Sequence, residues 1–207
     1  VNAISSDKVL LEKLKKKGWI EGEGGITHEN FLVFNAKKIP EEWRTYFFHH
    51  FDSKEFIKVF DHNNKEAAYG FVPSVLKGWV SSPLLDAKDL AYDERKLGKF
   101  ELTITFMNFE GVDLVINFLK KTWNHPQLTI KEQRLSVDDY LEGVLSTKRF
   151  DTFLVSKGLD YPDAMANIAY FKSDLKDNFF LISDLKIDEK IQECSQSIQR
   201  DAECFFE

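Results

Sequence analysis

The sequence predicts an α+β fold, a mainly antiparallel sheet with helices packed on one face. Three observations predict it. The candidate strands alternate apolar and polar residues, where a parallel sheet covered on both faces needs solid apolar runs. Amphipathic helical stretches come singly between those strands. Two clusters rich in Asp and Asn sit between β-rich runs, where they read as hairpin turns. No internal repeat, low-complexity tract or linker divides residues 1–207, so a single domain is expected.

The first helix reads from Ser6 to Lys17. Ser6 caps it, Asp7 suits its first turn, and Val9, Leu10 and Leu14 form a stripe against Lys8, Lys13, Lys15, Lys16 and Lys17. Gly18 offers the left-handed stop. After the Glu21–Gly25 turn, Ile26 to Asn35 reads as a strand. Pro40 opens a second helix at its first position. There Trp43, Tyr46, Phe47, His50 and Phe51 fall at i, i+3, i+4, i+7 and i+8. Phe56–Phe60 and Ala67–Val72 flank Asp61-His62-Asn63-Asn64-Lys65 and read as a hairpin. Residues 73–98 show no clean period; a connection of that length is uncommon and, when ordered, often functional.

Lys99 to Phe109 alternates, with Phe100, Leu102, Ile104 and Phe106 on one face and Glu101, Thr103 and Thr105 on the other. Asn108 is placed to cap the next helix, whose Val112, Val115, Ile116, Leu119 and Trp123 keep helical spacing until Pro126 ends it. Leu128–Leu135 is a further strand. Ser136 with Asp139 makes a start like a capping box, and Leu135 can staple onto Tyr140, in a helix carrying Val137, Leu141, Val144 and Leu145. Asn167–Lys172 and Phe179–Lys186 surround Ser173–Asn178 as a second hairpin. A terminal helix from about Ile187 sets Ile187, Ile191, Cys194, Ile198 and Phe205 along one narrow stripe.

Composition narrows the class. The chain is 43% hydrophobic and 14% aromatic, with 19 Phe, which excludes a disordered chain. Two cysteines cannot staple 207 residues as a disulfide scaffold. Ten steps along one continuous helix would hold Cys194 and Cys204 about 15 Å apart, so both read as free thiols of a reducing compartment. No apolar run reaches the roughly 20 residues of a membrane span. A net charge of −6 argues against a protein held on nucleic acid by its overall field. Val1–Ser6 shows no signal-peptide pattern, and the chain opens without Met, as a processed product or excised domain would. A cytoplasmic location is expected.

The chemistry-bearing motifs are sparse. His49, His50 and Asp52 suggest a zinc or iron set, yet adjacent helical residues point about 100° apart and cannot chelate one ion together. Asp61-His62-Asn63 resembles the start of a calcium loop, but Glu66 stands where glycine is required and Val72 where a bidentate Glu belongs. His28 and His125 have no sequence-local partner. Gly22-Glu23-Gly24-Gly25 precedes a strand and carries acid, unlike a phosphate cradle. No Gly-x-Ser-x-Gly elbow exists. Asp174-Leu175-Lys176 and Asp184-Leu185-Lys186 spell the acid-x-Lys triplet of a nuclease, preceded by Asp160 or Asp163, but such triplets are frequent in a chain this rich in Asp and Lys. The Lys13–Lys17 run reads as a solvated helix face.

What remains is an acidic surface with aromatic anchors. The 73–98 segment holds Trp79, Asp86, Asp89, Tyr92, Asp93 and Glu94, and the terminal helix is acidic outside its stripe. Trp and Tyr anchor a partner while acids steer a basic one. The expectation is therefore a non-catalytic protein-interaction protein of the immunity or inhibitor type. It would bind a basic protein, with no cofactor, no metal, no nucleic acid and no membrane, and a homodimer is compatible. The alternative is a metal-dependent hydrolase or nuclease whose carboxylates and histidines converge only in three dimensions.

Overall fold

The computed structural model describes residues 8–18, 28–59, 91–108, 111–143, 149–158, 164–175, 178, 180–196 and 204. Within them the order is α1 (Lys8–Lys15), β1 (His28–Phe34), α2 (Glu41–His50), α3 (Ser53–Lys58), a 3₁₀ turn (Glu94–Lys96), β2 (Phe100–Met107), α4 (Val112–Thr122), β3 (Leu128–Leu135), α5 (Val137–Leu141), β4 (Thr152–Gly158), α6 (Ala164–Ile168), a second 3₁₀ turn (Ala169–Phe171) and α7 (Leu185–Gln196). The α+β class holds.

The described strands form a four-stranded sheet in the order β1-β4-β2-β3. Its pairing is mixed and not mainly antiparallel. Only β1 and β4 run antiparallel, with Phe31 opposite Val155 and Val33 opposite Phe153. β2 pairs parallel with β3, Phe100 opposite Leu128 through Met107 opposite Leu135, and parallel with β4 at Ile104–Thr152. The physical reason lies in α4, which carries the chain back so that β3 starts at the same end as β2. β3 is the edge strand of the described sheet, and its Lys131, Glu132, Gln133 and Arg134 are all exposed. A strand with one exposed polar run carries no sign of its neighbour's direction, so the sequence pattern does not distinguish parallel from antiparallel pairing.

One face of the sheet carries the main core. Leu102, Ile104 and Phe106 of β2 pack with Trp43, Tyr46 and Phe47 of α2, with Val112, Val115, Ile116 and Leu119 of α4, and with Trp123. Trp123 Nε1–H donates to the Phe47 carbonyl at 3.1 Å, and the Phe34 and Phe47 rings stack at 5.4 Å. The helices do not keep to this face. Tyr140 of α5, with Val33, Phe150 and Phe153, builds a second cluster on the opposite side, as the two-residue period of β1 and β4 requires. Tyr140 donates its hydroxyl proton to the Leu154 carbonyl. Met165, Ile168, Phe171, Ile191 and Cys194 form a third cluster.

Several local expectations hold. Ser136 Oγ accepts from Asp139 N–H at 3.2 Å, the N-cap half of a capping box, and donates to Asp139 Oδ2 at 2.7 Å where a full box would use the Ser136 backbone N–H. Others fail for identifiable reasons. Asp52 accepts from Lys54 N–H (2.8 Å) and Glu55 N–H (3.1 Å). That cap draws Phe56 into α3, where a hairpin strand was expected; residues 60–90 lie outside the described part. Asn108 does not cap α4; Gly111 does, in the left-handed region at φ 84°. Among the described residues neither run of the second expected hairpin is a strand. Met165, Ile168 and Phe171 recur every three residues and turn as α6 and its 3₁₀ extension. β4 went unread, although Phe153-Leu154-Val155 is a β-prone run.

Cys194 and Cys204 are joined in a disulfide with Cα atoms 5.6 Å apart. The free-thiol reading is corrected: its premise, one straight helix from Ile187 to Cys204, does not hold.

Candidate functional site

Parallel order and reversal of direction define where a ligand fits on such a sheet. From β2 the crossover leads outward to β3, while β4 lies on the other side of β2. Ligands of open α/β sheets sit outside the carboxyl ends of strands where the order reverses, here β2 and β4. Met107 closes β2 at that end, and Val155, in the middle of β4 opposite Phe31, lies on the same face of the sheet. Both are half-buried against the second cluster, as are Phe31, Leu135, Tyr170 and Phe180. Phe180 meets Phe31 edge-on at 5.3 Å and Phe171 at 4.5 Å. The result is a shelf of apolar and aromatic side chains, each with one part in the core and one part outside it. Such a surface supplies contact area and ring faces to a ligand.

Asn178 stands beside the shelf, two residues before Phe180. It is buried, and its Nδ2 donates to the Lys172 carbonyl at 3.1 Å and the Ile182 carbonyl at 2.7 Å. The bonds hold the connection from α6 to α7 in its turn, which includes Leu181 at φ 61°. The Asn178 Oδ1 atom is buried without a hydrogen-bond partner.

The sequence-derived site residues go elsewhere. Trp79, Asp86 and Asp89 lie outside the described residues. Tyr92, Asp93 and Glu94 pack beside α2, near the amino end of β2. Tyr92 stacks on His49 at 5.1 Å and lies 6.1 Å from the rings of Tyr46 and His50. Its hydroxyl oxygen is buried without a partner, and burial, then the nearby Glu94 carboxylate, pushes its pKa up to about 12. Burial likewise raises the Tyr46 hydroxyl. Asp93 caps the 3₁₀ turn through Arg95 N–H at 3.2 Å, and the Arg95 guanidinium holds its carboxyl below the usual range. Glu94 Oε1 faces His125 Nε2 at 3.3 Å. Gln127 N–H donates to His125 Nδ1 at 3.1 Å, so the neutral ring carries its proton on Nε2, toward Glu94. These groups anchor the end of the 73–98 segment against the main core.

His50 gives its Nδ1 to the Tyr46 carbonyl at 2.9 Å, as a helix-surface histidine does. Among the described residues, no three His, Cys, Asp or Glu side chains are grouped so as to hold a metal ion.

No protein-family profile and no curated protein matches this chain. Solved structures do resemble it. The murein tripeptide binding protein MppA of Escherichia coli superposes with a TM-score of 0.73 at 19% identity, over 96% of this chain and 43% of that one. MppA is described elsewhere as a periplasmic protein in its unliganded open form. OppA of Haemophilus influenzae, solved with the peptide RPPGFSPFR, gives 0.72 at 15% identity, over 95% and 42%. A peptide-binding protein of a peptide ABC transporter gives 0.65 at 14%, over 87% and 90%. At these identities the likeness is one of fold, and the chain spans less than half the length of MppA and OppA.

These findings correct the functional expectation. The fold resembles that of solved peptide-binding proteins, and the expectation of an immunity or inhibitor protein, with a hydrolase or nuclease as its alternative, is withdrawn. The expected basic protein partner and the expected absence of any membrane association are withdrawn with it: the similar OppA was solved with a peptide, and another similar structure is the peptide-binding protein of a peptide ABC transporter. The cytoplasmic location is withdrawn too, against periplasmic neighbours and a disulfide. Sequence reasoning passed over the shelf because Phe31, Val155, Tyr170 and Phe180 come from four separate segments. The missed strand β4 was the signal that could have led to it.

Proposed function

We propose that residues 1–207 form one lobe of a peptide-binding protein that serves an ABC transporter outside the cytoplasm. The observation that carries this reading is the superposition on MppA over 96% of the chain. Two features of the molecule support it. The half-buried shelf of Phe31, Met107, Val155, Tyr170 and Phe180 lies over the second cluster on one face of the sheet, with Met107 at the carboxyl end of β2, where a second lobe could close over an extended ligand. The Cys194–Cys204 bond suits an oxidising compartment. The ligand's backbone would find partners in exposed polar groups at the strand ends, and its side chains would lie on the rings.

The test is calorimetry and thermal denaturation of the whole protein that carries this chain, against peptides of about three to nine residues. A ligand at a hundred times its Kd stabilises by about 2.7 kcal/mol, a shift of several degrees. Tyr170→Ala is expected to weaken binding by more than the lowering of the unliganded Tm that its lost packing accounts for. Absence of heat and of any thermal shift across the peptide set overturns the reading.

A further inference from the structure

α7 is poorly anchored by burial alone. Of its 12 residues only Ile191 and Cys194 are buried, and Leu185 at its start is 76% exposed. A free helix of that length is marginal in water, and packing normally supplies what propensity does not. The cluster beneath it is small: Met165, Ile168, Phe171, Ile191 and Cys194, with Phe180, Ile182, Ile187 and Cys204 partly covered around them. Cys204, ten residues on, returns to this cluster and is bonded to Cys194 at its centre. From there a run of ring contacts leads to the sheet, Phe171 to Phe180 at 4.5 Å and Phe180 to Phe31 at 5.3 Å.

We propose that the Cys194–Cys204 bond is a redox-conditional clasp: it holds α7 on the third cluster and thereby seats Phe180 on Phe31 in the aromatic shelf. The reduced chain folds its sheet and main core but leaves α7 and the shelf loosely held. Closing the clasp consumes a disulfide oxidant. One cysteine thiolate attacks the oxidant's disulfide to give a mixed disulfide, and the second thiolate displaces it; two protons and two electrons leave the pair and the oxidant departs as a dithiol. The binding role of the shelf rests on the function proposed above; the clasp itself does not.

Hydrogen exchange on the whole protein decides it, comparing the oxidised form, the form reduced under native conditions, and Cys204→Ser, which keeps the Cys194 side chain in its place. The expected result is at least about tenfold faster exchange at the α7 amides, with β2 and β3 amides unchanged. Reoxidation of the reduced form should restore the slow α7 exchange. Equal α7 protection in the three samples overturns the clasp. So does faster exchange spread evenly over α7, β2 and β3, because the bond would then support the whole fold and not one corner. Peptide affinity measured on the same samples separates the two proposals. An oxidised protein that binds no peptide refutes the function, while the exchange pattern still decides the clasp.

Discussion

Replacing Asn35 with alanine should disturb the junction that sets β4 between β1 and β2. Asn35 follows β1 and is 4% exposed. Its backbone N–H donates to the Asp151 carbonyl at 2.8 Å, its Nδ2 donates to the Phe150 carbonyl at 3.1 Å, and its Oδ1 accepts from Lys37 N–H at 3.1 Å. Around it, Thr152 Oγ1 donates to the Val33 carbonyl at 2.7 Å, and Asp151 Oδ2 accepts from Thr103 N–H of β2 at 3.2 Å. Alanine keeps the backbone bond and removes both side-chain bonds, each contributing about 1 kcal/mol net. It also leaves the buried Phe150 carbonyl without that donor, for a total loss of about 2–4 kcal/mol. Equilibrium urea unfolding of a chain this size has a slope of about 2–3 kcal/mol/M, so the midpoint should fall by about 1 M at unchanged slope. Asn35→Asp should cost at least as much, because a carboxylate opposite the Phe150 carbonyl sets acceptor against acceptor. Asn117→Ala, on the exposed side of α4, should stay within about 0.5 kcal/mol. If Asn35→Ala matches that control, the junction does not hold the sheet as argued.

Gly143→Ala should destabilise by about 1–3 kcal/mol, since the added methyl would run into the Phe150 ring; Phe150→Leu in the same chain should return part of the loss, and additive effects would refute the clash. Tyr92→Phe should be neutral or stabilising by up to about 1 kcal/mol, because its buried hydroxyl has no partner to lose; a clear destabilisation would reveal a bond not accounted for. The folded state favours the neutral phenol of Tyr92. Its contribution to stability is therefore intact below the ordinary value of 10.0 and disappears as pH climbs toward about 12. Phenolate absorbance should show one tyrosine ionising near that upper value and missing from Tyr92→Phe, and ionisation near 10 would count against it. Trp123→Phe should cost about 1–3 kcal/mol by stranding the Phe47 carbonyl, read as a lowered Tm.

The amino-acid order alone determined those features whose causes lie within one turn or one strand. Helices α2 and α4, the Ser136–Asp139 box and the alternation of β2 follow from side-chain spacing and local hydrogen bonds, and they stand where the pattern placed them. Features that join distant segments were settled only by the tertiary structure. Whether β2 and β3 run parallel depends on where α4 returns the chain, and an exposed edge strand alternates whichever way its neighbour points. The disulfide depends on how close Cys204 comes to Cys194, which spacing along an assumed helix misjudged. The shelf draws Phe31, Val155, Tyr170 and Phe180 from positions far apart in the chain. Burial and ring contact between such residues act through space, so no periodicity in the sequence records them.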